Sequence, residues 1–255
     1  MKSSVVYYKD ELNDEFSTAK ITPRKIDGNF KYQKSSVWEF FSWLFQNVIS
    51  MPIKIMYLKI KFHHKFVGIE KIKEYKKANK GMFIYSNHTQ AFSDTFTPSL
   101  AVYPKRNFLI VNPENVSVKG VGWLVEMLGA IPISNDVDGT KKFISRIENR
   151  IKKGYSVSIY PEAHIWPYCT WIRKFKAVSF KYPVKYDTAV FSVTNTYQKY
   201  KGNKIQMVSY IDGPFYAEKN LSIKEAQEKL RNEVYEAMCE RAKNSNVEKI
   251  KYIAE

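Results

Sequence analysis

The chain has 255 residues, 44% of them apolar, which suits one domain or a domain with a terminal extension around a sizeable core. Lysine and arginine outnumber aspartate and glutamate by 41 to 25, a net charge of +16 that favours polyanionic surroundings, either nucleic acid or the anionic face of a membrane. Cys169 and Cys239 are too few and too far apart for a disulfide framework, which points to a reduced, cytosolic setting.

Residues 1–35 read as a polar N-terminal arm, with Tyr7, Tyr8 and Phe16 as docking points and Pro23 and Gly28 as breakers. Met1 to Phe30 lacks the apolar run of a signal peptide. Residues 36–64 change abruptly to an apolar and basic helical segment, with Trp38, Phe40, Phe41, Trp43, Val48, Ile49, Ile53, Ile55 and Ile60 interrupted by Glu39, Pro52, Lys54 and Lys59. A spanning helix needs about 20 nearly uncharged residues. Two short helices lying in the headgroup layer fit better, with Trp38 and Trp43 at the interface and Lys54, Lys59 and Lys61 toward lipid phosphates. The alternatives are ordinary core helices or a true span.

Residues 65–255 alternate strand-like and helical stretches, predicting an α/β fold with a central mixed sheet flanked by helices. Strands are expected at 82–86, 107–111, 130–134, 155–160, 189–194 and 204–211. A helix over 140–152 would place Phe143, Ile144, Ile147 and Ile151 on one face. The last helix begins at Ser222, with Glu225 completing a capping box and Ala226, Leu230, Val234 and Met238 on its inner face.

Three blocks sit at strand ends. Asn87-His88-Thr89-Gln90-Ala91-Phe92-Ser93-Asp94 follows the first strand, Leu128 to Ser134 spans the third, and Tyr160-Pro161-Glu162-Ala163 follows the fourth. A histidine whose second ring nitrogen is held by a carboxylate is a general base, because the first nitrogen is then free to take a proton. Asp94 is the expected partner of His88; Ser93 is a weaker one, since an unionised hydroxyl stabilises imidazolium poorly. The pair alone is also compatible with a structural histidine at a helix start. Backbone N–H groups near that start are candidates for holding an oxyanion. His63, His64 and His164 lack the spacing of a zinc site, so no metal is assigned. There is no Gly-x-Gly-x-x-Gly and no Walker loop.

In order and spacing, these blocks resemble the glycerolipid acyltransferase family, which contains 1-acylglycerol-3-phosphate acyltransferase. The resemblance runs from about Phe66 to Gly213 and includes the lead-in Val67-Gly68-Ile69-Glu70. That family carries Asn-His, four residues and Asp, then Gly and alternating apolar residues ending in Arg, then aromatic-Pro-Glu-Gly-Thr. This chain departs from the pattern: five residues separate His88 from Asp94, Asn135 stands at the usual Arg, and Ala163, His164 and Ile165 replace Gly, Thr and Arg. Neither spacing stacks the two side chains on an ideal helix, so His88 belongs to the preceding turn.

The resemblance implies acyl transfer from acyl-CoA or acyl carrier protein, as co-substrate and with no resident cofactor, to a lysophospholipid acceptor, foremost 1-acylglycerol 3-phosphate. It implies His88 and Asp94 as the catalytic pair and Asn87 and Glu162 at the acceptor site. Arg173, Lys174 and Lys176, with Lys141 and Lys142, are the cations nearest to replacing the missing arginines. The expected location is peripheral, on the cytoplasmic face of a bacterial cell membrane, against the phospholipid surface. A degenerate member that binds lipid without catalysis is the alternative. Nucleic acid is not expected as a partner, because the densest aromatic cluster lies in one apolar run instead of interleaving with cations.

Overall fold

The computed structural model of the protein describes residues 4–16 and 21–255; residues 1–3 and 17–20 of the arm lie outside the described residues. The elements are Ser4–Tyr8 (β1), Ser36–Leu44 (α1), Ser50–Phe62 (α2), Lys65–Val67 (β2), Ile69–Lys76 (α3), Met82–Ser86 (β3), Ser93–Val102 (α4) and Asn107–Val111 (β4). They continue with Gly122–Met127 (α5), Ala130–Pro132 (β5), Val137–Lys152 (α6), Ser156–Ile159 (β6), Lys181–Tyr186 (α7), Val190–Tyr200 (β7), Lys204–Phe215 (β8), Ile223–Ala242 (α8) and Ile250–Ala254 (β9). The main sheet has the order β2-β8-β7-β3-β6-β4-β5. From β7 to β5 all strands run one way, while β8 is antiparallel to β7 and carries β2 parallel to itself, so the sheet is mixed.

Apolar alternation sends side chains to both faces of this sheet. One face packs Phe83, Tyr85 and Val157 against Phe143, Ile147 and Ile151 of α6 and Leu230, Val234 and Met238 of α8. The other packs Met82, Ile84, Phe191 and Val193 against Ile72 of α3 and Ala101 and Val102 of α4. The capping box at Ser222 and Glu225 is present, the Ser222 hydroxyl accepting from Glu225 N–H at 3.3 Å. The strands β7 and β8 run further than their apolar patterns suggest, to Tyr200 and Phe215, because they pair with each other as one long hairpin. Hairpin pairing satisfies backbone groups whatever the side chains are, so polar residues from Asn195 onward remain in strand.

The lead-in is a short strand ended by Gly68, whose φ is +81° and whose absent Cβ would lie 2.5 Å from the Ile211 carbonyl oxygen. Only glycine meets both demands. The arm is anchored along its described length. Its strand β1 pairs in parallel with β9, and Phe16 packs edge-on to Trp166 with centroids 5.1 Å apart. Asn135, at the position of the family's arginine, accepts from Ile26 N–H at 3.2 Å and so fastens the arm instead of facing a ligand.

Residues 36–62 form α1 and α2 joined through a π-helical turn at Phe45–Ile49. The inner face of α1 and the π-helical turn is polar, whereas that of α2 is apolar apart from Lys54, with Met51, Leu58 and Phe62 buried. Ser42, Gln46, Asn47 and Lys54 are buried, whereas Val37, Phe40, Phe41, Trp43, Val48, Ile49, Ile53, Ile55, Met56 and Ile60 are exposed. Ser42, Gln46 and Asn47 are held: Ser42 Oγ donates to the Met127 carbonyl at 2.6 Å, Gln46 Nε2 to the same carbonyl at 3.2 Å, and Asn47 Nδ2 to that of Pro104 at 3.0 Å. Glu39 pairs with Arg106 and Arg146 at 2.9 Å each and with Arg150. Lys54, expected to point at lipid phosphates, faces inward at 6% exposure; Lys59 and Lys61 are exposed. Leu58 and Phe62 pack with Tyr197 and Met207 as core, while the outer faces of both helices stay bare, and among the described residues no helix is long and apolar enough to cross a membrane.

Candidate active site

Three neighbouring parallel strands, β6, β3 and β7, end at the same edge of the sheet, and the blocks singled out in the sequence emerge there. In open α/β sheets this carboxyl edge, where connections diverge, is where ligands bind. The turn after β3 carries Asn87, His88, Thr89 and Gln90, the loop after β6 carries Tyr160 and Glu162, and β7 contributes Asn195.

The longer spacing between His88 and Asp94 is absorbed in the turn. Asp94 lies in the first turn of α4, fully buried, and Oδ2 reaches back to His88 Nδ1 at 3.0 Å. The same oxygen accepts the N–H groups of Thr89 at 2.6 Å and Gln90 at 2.7 Å. The other, Oδ1, accepts from Asn195 Nδ2 at 3.2 Å. A carboxylate held by this many donors is fixed in place beside the imidazole. Ser93 is buried and its hydroxyl makes no hydrogen bond, so Asp94 is the partner of His88.

The imidazole side chain is 16% exposed, and its ring stacks on Tyr160 with centroids 4.5 Å apart. The Tyr160 hydroxyl donates to the Asp94 carbonyl. Burial, followed by the nearby Asp94 charge, pushes that phenol well above its ordinary value, so it remains a donor. With Nδ1 engaged by the carboxylate, Nε2 is the nitrogen left for chemistry.

Glu162 is buried and does not point at solvent. Its Oε2 accepts His88 N–H at 2.9 Å, and its Oε1 accepts Arg173 N–H at 3.0 Å. Burial pushes the carboxyl up from its ordinary value, and the Arg173 guanidinium at 3.1 Å opposes that. Arg173, expected as a surface cation for phosphate, is fully buried; it lies over Trp166 at 4.9 Å and donates to the His164 carbonyl. Lys174 and Lys176 are exposed on the following stretch. Asn87 is buried and clasps the β7 backbone, accepting from Asn195 N–H at 2.8 Å and donating to its carbonyl at 2.9 Å. The N–H groups of His88, Thr89 and Gln90 are all occupied by carboxylates, so the oxyanion role expected of the helix start does not fall to them.

Reading the sequence alone misses Asn195, Thr89 and Tyr197. The Tyr197 hydroxyl donates to Thr89 Oγ1 at 2.8 Å and accepts from Gln90 Nε2 at 3.1 Å. A polar residue at the carboxyl end of an apolar strand is the signal that could have flagged Asn195. Among the described residues no cluster of His, Cys, Asp and Glu could hold a metal.

An apolar groove of about 690 Å³ runs between α2 and α4, lined by Met51, Ile55, Leu58, His64, Phe66 and Leu100 among others.

A family model described as Acyltransferase matches residues 63–195, a span that contains His88, Asp94, Glu162, Arg173 and Asn195. No curated protein matches the chain. Among solved structures, the crystal structure of the 1-acyl-sn-glycerophosphate (LPA) acyltransferase PlsC from Thermotoga maritima is similar at 15% identity and a TM-score of 0.45, covering 80% of this chain and 93% of that one.

Proposed function

The chain belongs to the acyltransferase family, and from that premise we propose that it moves a fatty acyl chain from acyl-CoA or acyl carrier protein to the hydroxyl of a lysophospholipid, foremost 1-acylglycerol 3-phosphate, with His88 as general base. The observation that carries this reading is the 3.0 Å contact between His88 Nδ1 and the buried Asp94 carboxylate at the carboxyl edge of the sheet. His88 Nε2 takes the acceptor hydroxyl proton as the oxygen attacks the thioester carbonyl. The carbon–sulfur bond then breaks, and the thiolate leaves with the proton that imidazolium returns. Asp94 stabilises the imidazolium. Base catalysis of this kind contributes about a hundredfold to ten-thousandfold. The apolar groove between α2 and α4 is of the size and character that suits an acyl chain.

Exposed Lys174 and Lys176 are the cations offered to the acceptor phosphate. The bare apolar face of α1 and α2 supports a peripheral position on a phospholipid surface. The test is purified protein with labelled acyl-CoA and a panel of lysolipids, scored by release of CoA thiol. The wild type turns over at least one acceptor, and His88→Ala abolishes release. Equal turnover in His88→Ala would falsify the base assignment, and silence across the whole panel would favour the lipid-binding alternative.

A further inference from the structure

A continuous run of hydrogen bonds, buried as far as Ser209 and part-buried at His64, leaves the far side of Asp94. Asn195 Nδ2 meets Asp94 Oδ1 at 3.2 Å, Ser209 Oγ meets Asn195 Oδ1 at 2.5 Å, and His64 Nε2 meets Ser209 Oγ at 2.8 Å. The four residues come from α4, β7, β8 and the link after α2. Asn195 and Ser209 are 2% and 0% exposed, so water does not compete for these bonds.

Chemistry fixes every proton along this run. A carboxylate only accepts, so the Asn195 amide must present its NH2 to Asp94 and its oxygen to Ser209. The single Ser209 hydroxyl proton is then used on that oxygen. Ser209 Oγ is left to accept from His64, which must carry its proton on Nε2. His64 is held neutral for this role, since burial pushes it down to about 4.

We propose that Asn195, Ser209 and His64 are positioning residues that hold the Asp94 carboxylate in the one rotamer that serves His88. Two backbone N–H groups fix Oδ2, but a carboxylate held at one oxygen can still pivot about it. Asn195 fixes the second oxygen, and Ser209 and His64 prevent the Asn195 amide from turning its oxygen toward Asp94. His64 also lines the groove between α2 and α4, so the wall of the proposed acyl site and the catalytic carboxylate share one rigid connection. This inference rests on the acyl-transfer reading above.

The run is tested first in the unaltered protein. Nitrogen-15 NMR of the ring nitrogens at pH 7 is expected to show His64 as the neutral Nε2–H tautomer. A proton on Nδ1 would reverse the chain of donors and overturn the proposal, whatever the activity. Kinetics on acyl-CoA with the best lysolipid then compare Ser209→Ala, His64→Leu and His64→Gln. Losing one such bond is expected to lower kcat about fivefold to tenfold in the first two variants, with KM little changed. His64→Gln keeps an N–H donor and is expected to recover most of that loss. Wild-type kcat in Ser209→Ala and His64→Leu, or His64→Gln no better than His64→Leu, overturns the positioning role while His88→Ala remains inactive. Activity in His88→Ala instead removes the base itself.

Discussion

The backbone N–H of His88 donates to Glu162 Oε2 at 2.9 Å, joining the turn after β3 to the loop after β6 across 74 positions of sequence. The loop is further stitched to this turn by Trp166 N–H to the His88 carbonyl at 3.0 Å and Tyr168 N–H to that of Thr89 at 3.1 Å. Glu162 thus sets where the histidine backbone sits, and Asp94 sets how its ring points.

For Asp94→Asn, the amide oxygen is expected to stay with the Thr89 and Gln90 N–H groups, since an NH2 there would face two donors. The fold survives, but the imidazolium loses its countercharge, and the new NH2 meets the Asn195 donor. kcat is expected to fall by about a hundredfold or more, measured as CoA release at saturating substrate. A change under threefold would remove Asp94 from the mechanism.

Glu162→Ala leaves the fully buried Arg173 guanidinium without its carboxylate. Breaking a buried pair from one side costs about 3–5 kcal/mol. Urea unfolding is expected to show a loss of that order together with weaker catalysis, because the His88 N–H loses its acceptor as well.

Glu39 pairs with Arg106, Arg146 and Arg150 at once, and the three also crowd the Phe108 ring with guanidinium carbons 4.7, 5.9 and 4.6 Å from its centroid. Glu39→Ala is expected to loosen α1 from β4 and α6. Protease cleavage confined to residues 30–62 would appear before global unfolding, and the wild-type cleavage pattern in the variant would count against this pin.

Lys54 is buried, and burial alone pulls its ammonium down to about 8 from an ordinary 10.5. Below about pH 8 both folded and unfolded states carry the proton and the native state bears the full desolvation cost; above about 10.5 neither does. Lys54→Met is therefore expected to stabilise the protein by roughly 3 kcal/mol at neutral pH, with the gain fading as pH rises between those limits. Denaturation curves of both proteins at pH 7 and pH 10 check this, and a gain independent of pH would contradict it.

Phe40, Trp43, Ile53 and Met56 are 59%, 44%, 54% and 57% exposed, so exchanging all four for serine removes little packing. The expected result is an unchanged melting temperature with loss of sedimentation on anionic phospholipid vesicles. Retained vesicle binding would rule out this face as the contact.

Much of the scaffold was legible from the residues because its signals are local. Met82–Ser86 and Asn107–Val111 fall where their apolar runs predict, since five apolar-rich residues between breakers are of strand length and too short for a buried helix. The order of the His88, Gly129 and Glu162 blocks likewise indicated the family, because a motif is a property of neighbours in the chain. The polar inner face of α1 and the turn after it was hidden in the same residues, for a list of apolar positions does not say which side of a helix meets the body. That side was decided by partners far away, Arg106, Met127 and Pro104, whose groups draw Glu39, Ser42 and Asn47 inward.

The sequence by itself pointed to a histidine and a carboxylate meeting where a strand turns into a helix, in an acyltransferase-like α/β domain. Only the tertiary structure decided that Arg173 turns inward to Glu162, that Asn195 holds the second oxygen of Asp94, and that His64 closes the line behind it. The reason is physical: propensity and periodicity act over a few residues, whereas a buried charge or amide is satisfied by whichever partner the folded chain brings within about 3 Å.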